Sequence, residues 1–242
     1  MHRFYIDKVD GGTAALTDAG QFHHLKDVLR LKAGDNVAVF DGEGNEFAGV
    51  IESIEKKRAM IKVAAVNRGM RDKISLTIAC AVPKGDRMDD VIDQLTQLGV
   101  ARIIPMWTER VVVKLDEAKK AARFKRWRTI AQSAAEQSQR INLPTIMPVT
   151  PMADVVTGSQ DYDLKLIPHL TGERRPIKDA LTGDAKRIIV LIGPEGDFTP
   201  EEVQKALDAG FIPVSLGDTV LRVATAAVAV AGFIRLASGA AV

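Results

Sequence analysis

Two short loops carry the residues best suited to hold a small molecule. Gly193-Pro194-Glu195-Gly196 directly follows an apolar run, 188–192, and precedes Thr199-Pro200-Glu201-Glu202. Thr as N-cap, Pro at the first helical position and Glu at the third mark a helix start. In an open α/β sheet, ligands settle beyond the carboxyl ends of the strands. Glycines at such a place let main-chain amides and carbonyls come close to a ligand, as an adenine or a carboxylate requires. A purely structural turn is the competing reading. Ser215-Leu216-Gly217-Asp218 repeats the pattern after a second apolar run, and Val220-Leu221-Arg222 then opens an Ala-rich segment. Two such loops can line one pocket.

Other arrangements fail on spacing. Gly42-Glu43-Gly44 starts like a dinucleotide fingerprint, but Phe47 stands at the third Gly position and a strand pattern follows. Asp41, Glu43, Asn45 and Glu52 approach calcium-loop spacing, yet Glu46 replaces the glycine that the sharp turn needs. A plain hairpin accounts for both. His23 and His24 are adjacent, so on a helix they point apart and cannot share a metal. With neither a nucleophile elbow nor a Walker loop, ordinary hydrolase and NTPase chemistry lacks support, and no metal site is expected.

The 242 residues, 46% hydrophobic and 26% charged, suit one large or two small globular domains. A net charge of +2 decides nothing about nucleic acid, so charge placement matters more than the sum. The single cysteine, Cys80, lies in an apolar run and reads as a buried structural thiol, consistent with a reducing, cytoplasmic setting. The opening MHRFYIDKVD lacks the apolar core of a signal peptide, and the longest apolar stretch, 223–234, is too short to span a bilayer. No membrane association is expected.

The elements that must position the two loops follow from periodicity. Up to about residue 67 the pattern is short strands and turns, with one helical patch near 22–29. Residues 36–40, 46–54 and 59–66 read as strands, the first two joined as a hairpin, which suggests a small β-barrel. The polar stretch 67–73 is the candidate linker. Beyond it, 74–82, 103–107, 164–167, 188–192 and 212–216 are continuous apolar runs, as expected of strands covered on both faces. Met88, Val91, Ile92, Leu95 and Leu98 recur at helical spacing before Gly99 as a C-terminal cap. A long helix over 116–140 carries Lys119, Lys120, Arg123, Lys125, Arg126, Arg128 and Arg140, and further helices are predicted from Thr199 to near Gly210 and over 219–237. The expected fold class is α/β with a mostly parallel sheet.

IGPEGDFTPEE followed by VSLGDTVLR resembles the SPOUT methyltransferases, specifically the family that methylates N3 of a uracil in 16S ribosomal RNA. HHLKDVLRLKAGD, KGDRMDDVIDQLTQLGV and RWRTIAQSAAEQSQR resemble other stretches of that family. The resemblance implies a PUA-like RNA-binding barrel over 1–69 and a SPOUT domain over 70–242 with a deep trefoil knot in about 164–234. It implies S-adenosylmethionine as cofactor, bound bent in the knot, and a homodimer acting on 16S ribosomal RNA or the small ribosomal subunit rather than on DNA.

Carried over by matched motif, the cofactor contacts fall on Leu170, Gly193, Pro194, Glu195, Gly196, Leu216, Gly217, Val220 and Leu221. Uracil N3 is a poor nucleophile until its imide proton leaves, so a base or an anion-stabilising cation is needed beside it. Arg222 is the first candidate for that cation and Arg140 the second, with Glu195 as candidate base. Gln137, Arg140, Arg128, Arg3, Arg30, Lys84 and Arg87 are candidates for RNA contact, and Glu136 for a structural partner of an arginine. For each, a salt bridge or a solvated face is the competing reading.

Departures from the family pattern lie close to the same loops. Asp197 stands where the family commonly has a second Gly, and Val223-Ala224 replace a Thr and a Glu. Gln94 and Gln97 replace a Lys and a Glu three apart on one helix face, a loss compatible with a compensated pair. Two other readings stay open: a SPOUT enzyme with another RNA target, such as ribose 2'-hydroxyls, and a cofactor- or RNA-binding protein without turnover.

Overall fold

In the computed structural model, residues 1–68, 72–110, 117–170, 172–181 and 183–239 are described. Contacts divide the chain into two units, Met1–Arg71 with Ala135–Leu143, and Asp72–Ala134 with Pro144–Val242.

The first unit is built on β1 His2–Tyr5, β2 Val9–Asp10, β3 Thr13–Leu16, α1 Ala19–His23, β4 Asn36–Phe40, β5 Asn45–Ile54 and β6 Ala59–Arg68. Asp18 caps α1 through its carboxylate on the Gln21 amide, and α1 continues into a π-helical turn, His24–Val28. The helical patch predicted at 22–29 therefore begins earlier, because a capping side chain sets its start. The sheet runs β1-β4-β5-β6-β3-β2, antiparallel except for β1 beside β4. Phe4, Leu16, Leu25, Val37, Val39, Ile51 and Ile61 form its buried core.

The turn after β4 shows why its dinucleotide-like and calcium-like patterns mean neither. Asp41 accepts hydrogen bonds from the Glu43 and Asn45 amides at 2.8 and 3.1 Å, so its carboxylate is spent closing the turn. The turn also docks on the returning segment, with the Leu143 amide donating to the Gly42 carbonyl at 2.9 Å. The segment 135–143 thus belongs to this unit although it lies far along the chain.

The second unit follows as β7 Ser75–Ala81, α2 Arg87–Gln97, β8 Arg102–Trp107, α3 Glu117–Gln137, β9 Thr145–Ile146, β10 Thr150–Pro151, α4 Met152–Thr157, β11 Leu164–Pro168, β12 Arg175–Pro176, α5 Ile177–Ala180, β13 Arg187–Ile192, α6 Pro200–Asp208, β14 Ile212–Ser215 and α7 Val223–Ala237. Its sheet order is β10-β8-β7-β13-β11-β14-β12, with β9 beside β8. Every strand pair in it is parallel.

The continuous apolar runs are explained by two cores, one on each face. Along β13, Ile188, Val190 and Ile192 face a cluster with Leu95 of α2 and Ala227, Val230 and Ile234 of α7. Ile189 and Leu191 face the other side, with Met152 and Val155 of α4 and Ala206 of α6. Each fully buried Ile or Leu contributes about 1.5–3 kcal/mol, so a polar residue anywhere over the buried stretch 188–192 is costly.

The boundaries at α2 and α6 match the sequence expectation: Gly99 ends the first at φ +80, and Thr199 and Glu202 form a reciprocal capping box at the second. The last helix does not match, since α7 starts at Val223 rather than at 219. Arg222 is extended at φ −67°, ψ 153°, and residues 216–222 are not helical because they wrap the pocket described next. The long helix ends at Gln137 rather than at 140, with Gln139 in a left-handed conformation at φ +60, and its expected first residue, Asp116, lies outside the described residues. Of the expected linker, residues 67 and 68 continue β6, and 69–71 lie outside the described residues.

Candidate functional site

Three neighbouring strands, β13, β11 and β14, end side by side, and the loops that leave their carboxyl ends line one open cleft. That position suits a small-molecule site in a parallel sheet. Leu170, Gly193, Pro194, Glu195, Leu216, Gly217, Val220 and Leu221 all line it. Gly196 stands behind the lining, where its carbonyl accepts a hydrogen bond from Arg110. Ile192, Val214, Val223 and Ala226 give the walls apolar surface, and His169, Arg174, Glu195, Asp197, Ser215 and Thr219 add polar groups.

The loop after β13 is held from several directions. A Cβ on Gly193 would meet the Phe198 ring at 3.0 Å, and Phe198 itself is buried, so the main chain runs flush against that ring. The Asp197 amide closes a turn on the Pro194 carbonyl at 2.9 Å. Arg110 donates to the carbonyl of Phe198 at 3.4 Å as well as to that of Gly196. Glu202 accepts from the Thr199 amide at 2.9 Å with one carboxylate oxygen and from the Glu109 amide at 2.8 Å with the other. One carboxylate thus caps α6 and fixes the approach of Arg110.

Glu195 lines the cleft half-exposed and faces Arg87, the first residue of α2, at 3.9 Å. Its charge reaches inward: burial first, and the Glu195 carboxylate second, push the Cys80 thiol up to about 12. Cys80 is therefore protonated at neutral pH and packs as a structural thiol, as the sequence suggested.

Sequence reasoning missed His169, Arg174 and Thr219, all of which line the cleft. His169 is only 9% exposed; burial lowers its pKa, the Asp197 charge opposes that shift and Arg174 adds to it. The imidazole is neutral at pH 7. Arg174 donates to the carbonyls of His169 and Leu170. No motif marks these residues, because a histidine or an arginine after a strand is common and only the fold turns them toward the cleft.

Arg222 is exposed at the N-cap of α7, between the lining residues Leu221 and Val223. Lys84 and Arg87 are exposed just beyond the carboxyl end of β7, and Arg128 lies over the Phe124 ring at 6.0 Å on α3. Arg126, on the same helix, is tied to Asp89 at 2.6 Å, where the buried Trp127 also donates at 3.1 Å, so its charge serves helix packing. Lys120 sits over the Trp107 ring at 4.6 Å.

Arg3, Arg30, Gln137 and Arg140 belong to the first unit. Arg3 pairs with Glu46 at 3.0 Å, donates to the Gln139 carbonyl at 2.8 Å and lies over Phe40. Arg30 is exposed in a left-handed conformation at φ +56, Gln137 is exposed, and Arg140 is half-buried. Glu136 accepts from the Tyr5 amide at 3.2 Å.

Comparison with known proteins matches residues 70–235 to the model of an RNA methyltransferase domain and 16–64 to an RNA methyltransferase PUA domain. Ribosomal RNA small subunit methyltransferase E of Bacillus subtilis is 27% identical over 237 residues, covering 93% of each chain. The crystal structure of the enzyme of that name from Neisseria gonorrhoeae, bound to S-adenosyl methionine, superposes with a TM-score of 0.87 at 30% identity over 98% of each chain. A protein from Legionella pneumophila assigned as a methyltransferase, solved with the cofactor SAM, gives 0.89 at 32% identity over 97% of each. With two thirds of its length matched by one domain model and its cleft built from that domain's strand ends, this chain belongs to the RNA methyltransferase family that includes ribosomal RNA small subunit methyltransferase E.

Proposed function

We propose that this methyltransferase takes its methyl group from S-adenosylmethionine and places it on N3 of a uridine in 16S ribosomal RNA of the small ribosomal subunit. The observation that carries this reading is the cleft at the ends of β11, β13 and β14, which gathers Leu170, Gly193 to Glu195 and Leu216 to Leu221 around one space. The residues fit the cofactor. Apolar walls and a glycine edge suit an adenine, and the half-exposed carboxylate of Glu195 suits a ligand that carries sulfonium and ammonium charges. The SAM-bound relatives of closely similar fold support the same assignment.

The cofactor supplies an electrophilic methyl, so the protein's work is alignment and help with the proton. Leu170, Leu216, Val220 and Leu221 bound the space and keep water from it. Glu195 is our candidate at the cleft to receive the imide proton, and Arg222, exposed beside Leu221, is our first candidate for the cation that stabilises the uracil oxygens once N3 is anionic. Arg140 is the second candidate for that role. Lys84, Arg87, Arg128, Gln137 and Arg30 are assigned to the RNA, largely to its phosphates. Arg3, with its guanidinium already shared between Glu46 and the Gln139 carbonyl, holds the first unit and is a weaker candidate for RNA contact. The trefoil knot over 164–234, the homodimer and the cytoplasmic location belong to this proposal. Among the described residues, no helix is long and apolar enough to cross a membrane.

The test is incubation of the purified protein with labelled S-adenosylmethionine and small ribosomal subunits lacking the modification, followed by nucleoside mapping. Label on uracil N3 is the expected result. Label on ribose would move the activity to another class of RNA target. Cofactor binding without label would assign a binding role, which the loss of the family's Glu at Ala224 makes worth measuring.

A further inference from the structure

Asp197 occupies a left-handed conformation, φ +60, in the loop after β13. Such a conformation favours glycine, and among residues with a side chain only Asn, Asp and His adopt it with any frequency. This chain therefore carries a side chain where the backbone is better served without one. Its contacts show what that side chain does. One carboxylate oxygen accepts the amide of Leu170, in the loop after β11, at 2.8 Å, and the other accepts the Phe198 amide at 2.9 Å. On the opposite polar edge of the same turn, Arg174 takes the carbonyls of His169 and Leu170. Leu170 is thereby gripped by an anion at its N–H and a cation at its C=O, while its side chain, 43% exposed, stands at the cleft.

We propose that Asp197 is a positioning residue that ties the loop after β11 to the loop after β13 and so sets Leu170 against the cofactor. The inference rests on the reading of the cleft as an S-adenosylmethionine site. Each carboxylate oxygen already holds a main-chain amide, so Asp197 acts through the loops. Charge-assisted bonds of this kind are about twice as strong as neutral ones, and this one spans 27 residues of sequence.

The experiment uses Asp197→Gly and Asp197→Asn in the full chain, with three readouts. Hydrogen exchange in the unliganded protein reports the Leu170 amide; calorimetry reports affinity for S-adenosylmethionine and for S-adenosylhomocysteine; thermal unfolding reports stability. In Asp197→Gly the Leu170 amide exchanges faster, and both ligands bind about fivefold more weakly, equivalent to about 1 kcal/mol. Its Tm is unchanged or higher, because glycine relieves the left-handed backbone. Asp197→Asn, which keeps the backbone preference and one acceptor, falls between. Unchanged exchange at Leu170, or unchanged affinity in Asp197→Gly, overturns the proposal. Weakening confined to S-adenosylmethionine overturns it too, because that would mean the charge acts directly on the sulfonium. Failure of the wild-type chain to bind either ligand removes the cofactor reading and this inference with it, whereas normal wild-type binding with slow Leu170 exchange in both variants removes this inference alone.

Discussion

The two loops that face each other across the cleft are built differently. Residues 193–199 are fixed by a closing turn, a buried Phe198, the Arg110 guanidinium, the Asp197 carboxylate and a capping box that starts α6. Residues 216–222 show far fewer ties. Ser215 and Gly217 exchange hydrogen bonds at 3.2 Å, Val220 is 72% exposed, and Arg222 enters α7 without a side-chain cap. The first loop is complete as folded, and the second presents apolar side chains and the exposed Arg222 guanidinium. On the function proposed above, this difference assigns the first loop to fixing where the cofactor lies, and the second to covering it and offering Arg222 to the reacting base.

Substitutions in the two loops should therefore change different quantities. The largest effect is expected in the second loop, where Arg222→Ala lowers kcat about a hundredfold, the usual cost of removing a group that stabilises a developing anion. Calorimetric affinity for S-adenosylmethionine stays at the wild-type value. Normal turnover in that variant would remove Arg222 from the chemistry and break the comparison. Next comes Arg110→Ala, which releases the carbonyls of Gly196 and Phe198. Cofactor affinity is expected to fall about tenfold, in line with the loss of hydrogen bonds to a charged donor, with kcat at saturating cofactor preserved.

Thr199→Ala removes half of the capping box and is expected to lower stability by about 1 kcal/mol, read as a shift in the urea midpoint at constant m. Part of that loss should appear as weaker cofactor binding, since the same box fixes Glu109 beside Arg110. The smallest effect is expected at Val220→Ala, where an exposed side chain leaves stability within about 0.5 kcal/mol. A cofactor affinity more sensitive to Val220 than to Arg110 would reverse the roles assigned to the two loops.

Much of this arrangement is legible from local pattern. The strand runs 74–82 and 188–192, the Thr199 capping box and the Gly99 helix end are each specified within a few residues, because hydrophobic period and main-chain capping are short-range matters. The placement of Gly193 and Gly217 after buried strands was enough to point to a cleft. The start of α7 was not legible. The stretch from Thr219 looks helical by composition, yet its first residues are drawn out along the cleft, so a tertiary demand overrides propensity. The 135–143 segment likewise joins the first unit through bonds to the 42–44 turn that no local pattern announces.

The sequence by itself determined that the second unit is an α/β domain with strands buried on both faces, and that two glycine-bearing loops directly follow apolar strands. Those properties arise from the order of apolar and turn residues along the chain, whereas which strand ends lie side by side does not. Only the tertiary structure decided which distant groups complete those loops: Arg110 on Gly196 across 86 positions, Asp197 on Leu170 across 27, and His169 and Arg174 beside them. The physical reason is that a parallel sheet brings together strand ends separated by whole helices, so the partner of a loop's orphan amide or carbonyl is chosen by sheet order and not by proximity in sequence.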